Sequence, residues 1–380
     1  MAHANEFPSW PLGSGPIDRQ SAPPATHPDP AERVAALTQG LFGLLDQAVN
    51  EPWRWQVLLD NSATLWRYSG GNAALLMLQM AQRDKQPPTL VAGYKEWERH
   101  GRYVLKGEHA LWVIAPRTSK VPAVDDGRHN GTPTPDPDVR EPDAKTVVTG
   151  WRGQAVFDVS QTEGRPLLVP RPGSTELPMS DHEGLWRSFV EVAAMGGFSI
   201  EVSDSQHSLA SGHTNFGSHT ITIGSWLGDS ERMAVLAHEL GHAMLHGPND
   251  RLGQLYGSSI EHRGLAEIEA ESVAYTVLRA HGIDRGAQSA SYLAGWADAV
   301  IQTEADSILQ STKDHKPLSR VEIAKSVLGR ATAASKNILE VTCPAGFGGK
   351  IVASRADPAM NSSTPSIDGR RPKGQVRAML

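Results

Sequence analysis

Between residues 31 and 340 the chain passes from helical to extended patterning and back again. AERVAALTQGLFGLLDQAVN (31–50) and GGNAALLMLQMAQR (70–83) return apolar residues every three or four positions and predict helices; GYKEWERHG (93–101) predicts a short third. RYVLKGEHALWVIAP (102–116) reads as two β-rich runs that turn at Lys106-Gly107, a hairpin. VDDGRHNGTPTPDPDVREPDAK (124–145) has turn residues and charge without a period, which predicts a mobile acidic loop. TGWRGQAVFDVSQT (149–162) then predicts a strand that returns to the same domain, and the proline-rich joint EGRPLLVPRPGSTELP follows it. Beyond the joint a helix is expected at 183–195, alternating strands at FSIEV and HTITIG, and helices over 229–246, 263–278, 289–311 and 319–340.

These elements predict an α+β protein of two domains: an α+β domain at 31–162, a linker at 163–182, and a mainly helical domain with a small sheet at 183–342. Two domains also suit a length of 380 residues. Seven prolines in residues 1–30 predict a disordered start, and the Gly/Ser/Pro-rich basic stretch 343–380 a flexible tail.

Composition narrows the possibilities. The single cysteine, Cys343, excludes an internal disulfide and a thiolate zinc site. MAHANEFPSWPLGSG has neither the basic start nor the apolar core of a signal peptide, and no apolar run approaches membrane-spanning length, so a soluble cytoplasmic protein with no membrane partner is expected. The net charge of −6 is unevenly spread. Residues 51–120 hold ten Lys/Arg against six Asp/Glu, whereas residues 181–310 hold six against seventeen, so a polyanionic partner suits only the first region.

That first region also holds eight Trp or Tyr residues, interleaved with cations. Rings that stack on bases and cations that track phosphates are how single-stranded nucleic acid is bound. Lys95, Arg99, Arg102 and Lys106, flanking the expected hairpin, are the candidate phosphate track. Arg67 and Tyr68 stand just before a Ser-Gly-Gly-Asn helix start whose backbone N–H groups can hold a phosphate. Trp97 and Trp112 sit at apolar positions and are expected in the core instead.

The sharpest chemistry lies in AHELGHAMLH (237–246). His238 and His242 are four apart, hence one helical turn apart on one face, and two such imidazoles can bind one tetrahedral Zn²⁺. Glu239 can take a proton from a metal-bound water. Asp229 or Ser230 can cap this helix, Met233, Leu236, Leu240, Met244 and Leu245 give it an apolar stripe, and Gly247-Pro248 stops it. A third ligand is needed, and RGLAEIEAESVAYTVL (263–278) offers Glu267 and Glu271 on one face of a second helix. Either can reach a metal, with the other holding a histidine from behind. An oxyanion donor is not identified; Tyr256, Tyr275, His213 and His219 are the candidates.

Several of these segments resemble a known family. LWRYSGGNAALLMLQM, LVAGYKEWERHGRYVLKGEHALWVIAP and VFDVSQTEG look like the N-terminal domain of ArdC-type antirestriction proteins, which is described as binding single-stranded DNA. LAHELGHAMLHG followed by EIEAESVAY is similar to the metallopeptidase half of those proteins, related to the ImmA/IrrE zinc peptidases with their HExxH, zincin-like fold. The resemblance covers roughly 35–330 and implies metal ligands at His238, His242 and Glu267, with Glu271 in the supporting position behind a ligand. It also implies Zn²⁺ as cofactor, single-stranded DNA and a protein substrate as partners, and a place on a mobile genetic element. The acidic loop and the basic tail are not part of the family pattern. Two other readings stand beside a DNA-bound peptidase: a protein that coats single-stranded DNA around a structural zinc, and a regulatory peptidase that cleaves a repressor.

Overall fold

A computed structural model describes residues 29–121, 145–167, 182–204, 211–250, 263–283 and 319–343. The N-terminal stretch, the acidic loop up to residue 144, the helix expected at 289–311 and the C-terminal tail lie outside the described residues, as does 168–181 of the expected linker.

The protein is α+β. Helices α1 (Pro30–Asn50) and α2 (Pro52–Thr64) follow each other directly, each begun by a proline whose fixed φ suits a first turn that needs no N–H. The periodicity above does not predict α2, which carries Trp, Asn and Ser among its apolar positions. Helix α3 (Gly70–Ala81) starts at Ser69, whose hydroxyl accepts from the Asn72 backbone N–H. Then come β1 (Val91–Ala92), α4 (Tyr94–Arg99), β2 (Arg102–Val104), β3 (Leu111–Val121), β4 (Lys145–Asp158) and β5 (Thr162–Gly164). The last residue assigned to the acidic loop, Lys145, is thus the first residue of β4.

The expected hairpin across Lys106-Gly107 does not form. Strand β2 pairs with β5, while β3 runs antiparallel to β4 from Leu111 opposite Val156 to Val121 opposite Lys145. The backbone between β2 and β3 is held by other groups: the Gln161 amide donates to Glu108 and to the His109 carbonyl, and Arg83 donates to the carbonyls of His109 and Ala110. These contacts direct β3 toward the longer partner that only the returning chain supplies. The other edge of β3 is closed by α3. Gln79 exchanges two 2.9 Å hydrogen bonds with the Trp112 backbone, and Asn72 does the same with Ile114. Seven residues, two helical turns, separate those amides, so both lie along one face of α3 and substitute for a neighbouring strand.

The second segment holds α5 (His182–Met195), β6 (Ser199–Ser203), β7 (Gly212–Asn215), β8 (Thr220–Gly224), α6 (Asp229–Leu245), α7 (Arg263–Ala280) and α8 (Arg320–Thr342). Strand β8 lies between a parallel β6 and an antiparallel β7. No helix among the described residues is long and apolar enough to cross a membrane.

The two segments share cores. One apolar cluster joins Leu41, Leu45, Trp55, Leu59 and Leu75 of α1–α3 to Leu265, Ile268 and Tyr275 of α7 and to Ile323 and Val327 of α8. Another, built on α5–α8 and β8, also takes in Ala63 and Trp66. Trp97 is fully buried, donating to the Phe157 carbonyl, as expected. Trp112 is only half-buried, and the Arg33 guanidinium lies 3.7 Å above its ring.

Helices α3 and α8 touch where Gly70 meets Thr332, whose hydroxyl accepts from the Gly70 N–H at 3.1 Å. A methyl at Gly70 would stand 2.7 Å from that oxygen and 2.9 Å from Leu328 Cγ. Gly70→Ala is therefore expected to cost about 1–3 kcal/mol by overpacking. A urea midpoint unchanged from wild type in the full-length chain would contradict this packing.

Candidate metal centre

The cap of helix α6 is Gly228, not Asp229 or Ser230: the Gly228 N–H donates to the Glu231 carboxylate, so the acidic residue of the first turn closes the end. Met233, Leu236 and Leu240 are buried as expected and fix the helix's rotation. Its contact with α7 is close because Gly241 lies against Ala270, where an added Cβ would stand 2.9 Å from Ala270 Cα. That approach brings the side chains of α7 to the histidines of α6.

His238 Nε2 and His242 Nε2 are 3.0 Å apart. Glu267 Oε2 is 3.2 Å from the first and Glu267 Oε1 is 3.5 Å from the second. Donors bound about 2.0–2.2 Å from one tetrahedral ion stand roughly 3.3–3.5 Å from each other, so this triangle fits a divalent ion of zinc's size. These three residues are the group found, among the described residues, whose donor atoms lie close enough to hold a metal. The Glu267 side chain is 53% exposed, which leaves the triangle open to solvent on one side. Burial opposes charge on His238, but Glu267 and Glu271 overcome it and push its pKa up to about 10. Burial likewise opposes charge on Glu267, yet His238 and His242 hold its carboxyl well below the usual range.

Behind the triangle the two imidazoles are supported differently. His238 Nδ1 faces Glu271 Oε2 at 3.3 Å. His242 Nδ1 faces His246 Nδ1 at 2.9 Å, and His246 Nε2 faces Glu269 Oε2 at 3.0 Å. Arg330 of α8 donates through Nε to both Glu269 oxygens, at 2.9 and 3.1 Å, and through Nη2 to the Leu245 carbonyl and Asp250. Burial, reinforced by His242, holds the His246 imidazole below its ordinary pKa against the pull of Glu269.

Glu239 is buried, and its Oε2 accepts a 2.7 Å hydrogen bond from the Thr214 hydroxyl of β7. Of the oxyanion candidates, Tyr275 spends its hydroxyl on Asp60 at 2.9 Å, and the His219 ring packs on Phe198 with centroids 5.2 Å apart. His213 pairs with Thr222 in the small sheet, and Tyr256 lies outside the described residues.

The nucleic-acid candidates divide into two groups. Lys95 and Arg99 on α4 and Lys106 just after β2 are exposed, and Tyr94 and Tyr103 beside them are 50% and 56% exposed. Arg99 also reaches Glu96 at 2.7 Å. The others serve the fold. Arg102 donates to Thr162 Oγ1 and to the Thr162 and Arg165 carbonyls, Tyr68 donates to the Val91 carbonyl, and Arg67 stacks on Trp66 at 4.4 Å.

Sequence reasoning missed His246, Glu269, Arg330 and Thr214. His246 was within reach: it repeats, from His242, the four-residue step that links His238 to His242. Glu269 falls between Glu267 and Glu271, roughly 200° around the helix from each, and a reading that follows one face passes over it. Thr214 and Arg330 carry no local signal, since each meets the centre only through the fold.

Two family models match the chain. Residues 34–157 match the N-terminal domain of anti-restriction factor ArdC, and residues 198–278 match the IrrE N-terminal-like domain of the peptidase M78 family. An uncharacterized Bacillus anthracis protein, pXO2-81, is 23% identical over 291 residues, 65% of this chain; the match spans only 44% of that relative's length. Two crystal structures of antirestriction ArdC protein from the R388 plasmid align over 76% of this chain. The metal-free one is 16% identical with a TM-score of 0.39 and 97% of its chain covered; the Mn(II)-bound one is 17% identical with a TM-score of 0.40 and 98% covered.

Because Gly241 sets the distance between α6 and α7, Gly241→Ala should push Glu267 away from the histidines. Metal affinity, read by chelator competition, is expected to fall at least about tenfold, alongside a stability loss of about 1–3 kcal/mol. Affinity equal to wild type would show that α7 does not set the site. Glu267→Ala is expected to abolish binding, while Glu271→Ala should weaken it about 10–100-fold. The reverse order would exchange the roles of the two carboxylates.

Proposed function

We propose that this chain, ArdC-type in both of its domains, is a zinc-dependent peptidase joined to a single-stranded-DNA-binding domain and acts in antirestriction. The observation that carries the peptidase reading is the triangle of His238, His242 and Glu267 donors, open on one side, with Glu239 next to the first histidine. Two imidazoles and a carboxylate are a zinc donor set, and an open fourth position is what distinguishes catalytic from structural zinc. A zinc ion held there would polarise the scissile carbonyl and lower the pKa of a bound water. Glu239 would accept that water's proton and pass it to the leaving amine. Thr214 aims the Glu239 carboxylate, and Glu271 keeps the His238 ring turned so that Nε2 faces the ligand triangle.

For DNA, the exposed Tyr94 and Tyr103 rings among Lys95, Arg99 and Lys106 supply stacking faces and phosphate partners. Arg102 and Tyr68 support that surface from within, through bonds to neighbouring carbonyls.

Two measurements test the reading. Full-length wild type and Glu239→Gln, both loaded with zinc, are incubated with cell extract with and without single-stranded DNA. Cleavage products are expected from wild type only, at equal metal content; identical product patterns would remove the peptidase. In gel shifts of the full-length chain, wild type should prefer single-stranded oligonucleotides, with a log–log salt slope of about −0.7 per phosphate neutralised. Joint replacement of Lys95, Arg99 and Lys106 by Ala should weaken binding whatever the base sequence and flatten that slope. Equal affinity for duplex, or an unchanged slope, would remove this DNA surface.

A further inference from the structure

The proposal here rests on the metal-centre reading above and concerns what stands behind it. His246 is buried, its side chain only 5% exposed, and neither ring nitrogen is free: one faces His242 and the other Glu269. It is therefore not a fourth ligand. The tautomers follow from one another. If His242 offers Nε2 to an ion, its Nδ1 must carry the hydrogen and donate it, so His246 Nδ1 must accept. His246 Nε2 then carries its own hydrogen and donates to Glu269. Glu269 is fully buried and has the Arg330 guanidinium as its counter-charge. Reversing any tautomer in this chain would leave two donors or two acceptors facing each other in a dry interior, which costs on the order of 1–3 kcal/mol for each unsatisfied group.

We infer that His246 is a positioning residue of the metal centre, accepting from His242 so that its Nε2 faces the ion, while Glu269 and Arg330 hold His246 in place. The device also ties three helices together at this point. Arg330 of α8 bonds the Leu245 carbonyl at the end of α6 as well as Glu269 of α7. The two histidine ligands differ in consequence. His238 leans on a carboxylate, whereas His242 leans on an imidazole whose own carboxylate partner is offset by an arginine.

The test uses the full-length chain with His246→Phe, which fills the space without an acceptor, and His246→Asn, whose amide oxygen falls where Nδ1 stands. Zinc affinity is read by competition with a chelating dye, and the coordination by the absorption bands of the Co²⁺-loaded protein. His246→Phe is expected to bind zinc about 10–100-fold more weakly than wild type. His246→Asn should recover most of that loss and keep the wild-type Co²⁺ spectrum. If His246→Phe does not fold, His246→Leu carries the same expectation. Zinc binding by the non-accepting variant as tight as wild type would overturn the inference, and so would an Asn variant as weak as the non-accepting one. Failure of wild type itself to bind zinc would instead remove the metal centre on which the inference rests.

Discussion

Helix α7 turns Glu267 and Glu271 toward α6 while α2 anchors its other side, and the geometry of the candidate metal centre follows from that double packing. On the α2 side, the Trp55 indole donates to Ser272, and Asp60 receives both the Tyr275 hydroxyl and Arg279. Around those bonds, Leu265, Ile268 and Tyr275 enter the core made by α1–α3 and α8. Val273, Val277 and Leu278 enter the core of the second segment. Each such side chain contributes roughly 1.5–3 kcal/mol on burial, more than an exposed ion pair gives, so apolar packing sets the position of α7 and the polar contacts set its register. The carboxylate that completes the donor triangle therefore depends on helices that belong, in sequence, to the other domain.

Around the centre, support is arranged in depth. His238 is backed by Glu271, His242 by His246, His246 by Glu269, and Glu269 by Arg330. The fully buried Glu269 has the Arg330 guanidinium as its counter-charge, in a region where an isolated charge would be costly. Arg330 is the far end of the series and also bonds the Leu245 carbonyl, so α8 is tied to the last turn of the helix that carries both histidines. On the opposite side, β7 brings Thr214 to Glu239, which gives the small sheet a part in aiming the carboxylate proposed as general base.

Much of this was legible in the chain. The four-residue spacing in HELGH and in EIEAE places two pairs of side chains on two helix faces, and the structure brings those faces together. Local signals served for α1, α3, α4, α5, β4 and β8, because burial on one side imposes a period. They failed where long-range pairing decides. The β2–β3 hairpin looked sound locally, but β3 finds β4 across a long insertion and β2 finds β5. Arg102 and Tyr68 looked like surface groups because nothing nearby in sequence shows that carbonyls of Thr162, Arg165 and Val91 come to meet them. Helix α2 and strand β7 escaped notice for lack of a clean period, yet α2 braces the helix that carries Glu267 and β7 brings Thr214 to Glu239.

The most direct test of this account is anomalous diffraction at the zinc edge from crystals of the full-length chain grown with Zn²⁺. One peak is expected at the triangle, bound by His238 Nε2, His242 Nε2 and a Glu267 oxygen at about 2.0–2.2 Å, with Glu271 still on His238 Nδ1. A peak bound through Glu271, or one bound at neither histidine, would contradict it.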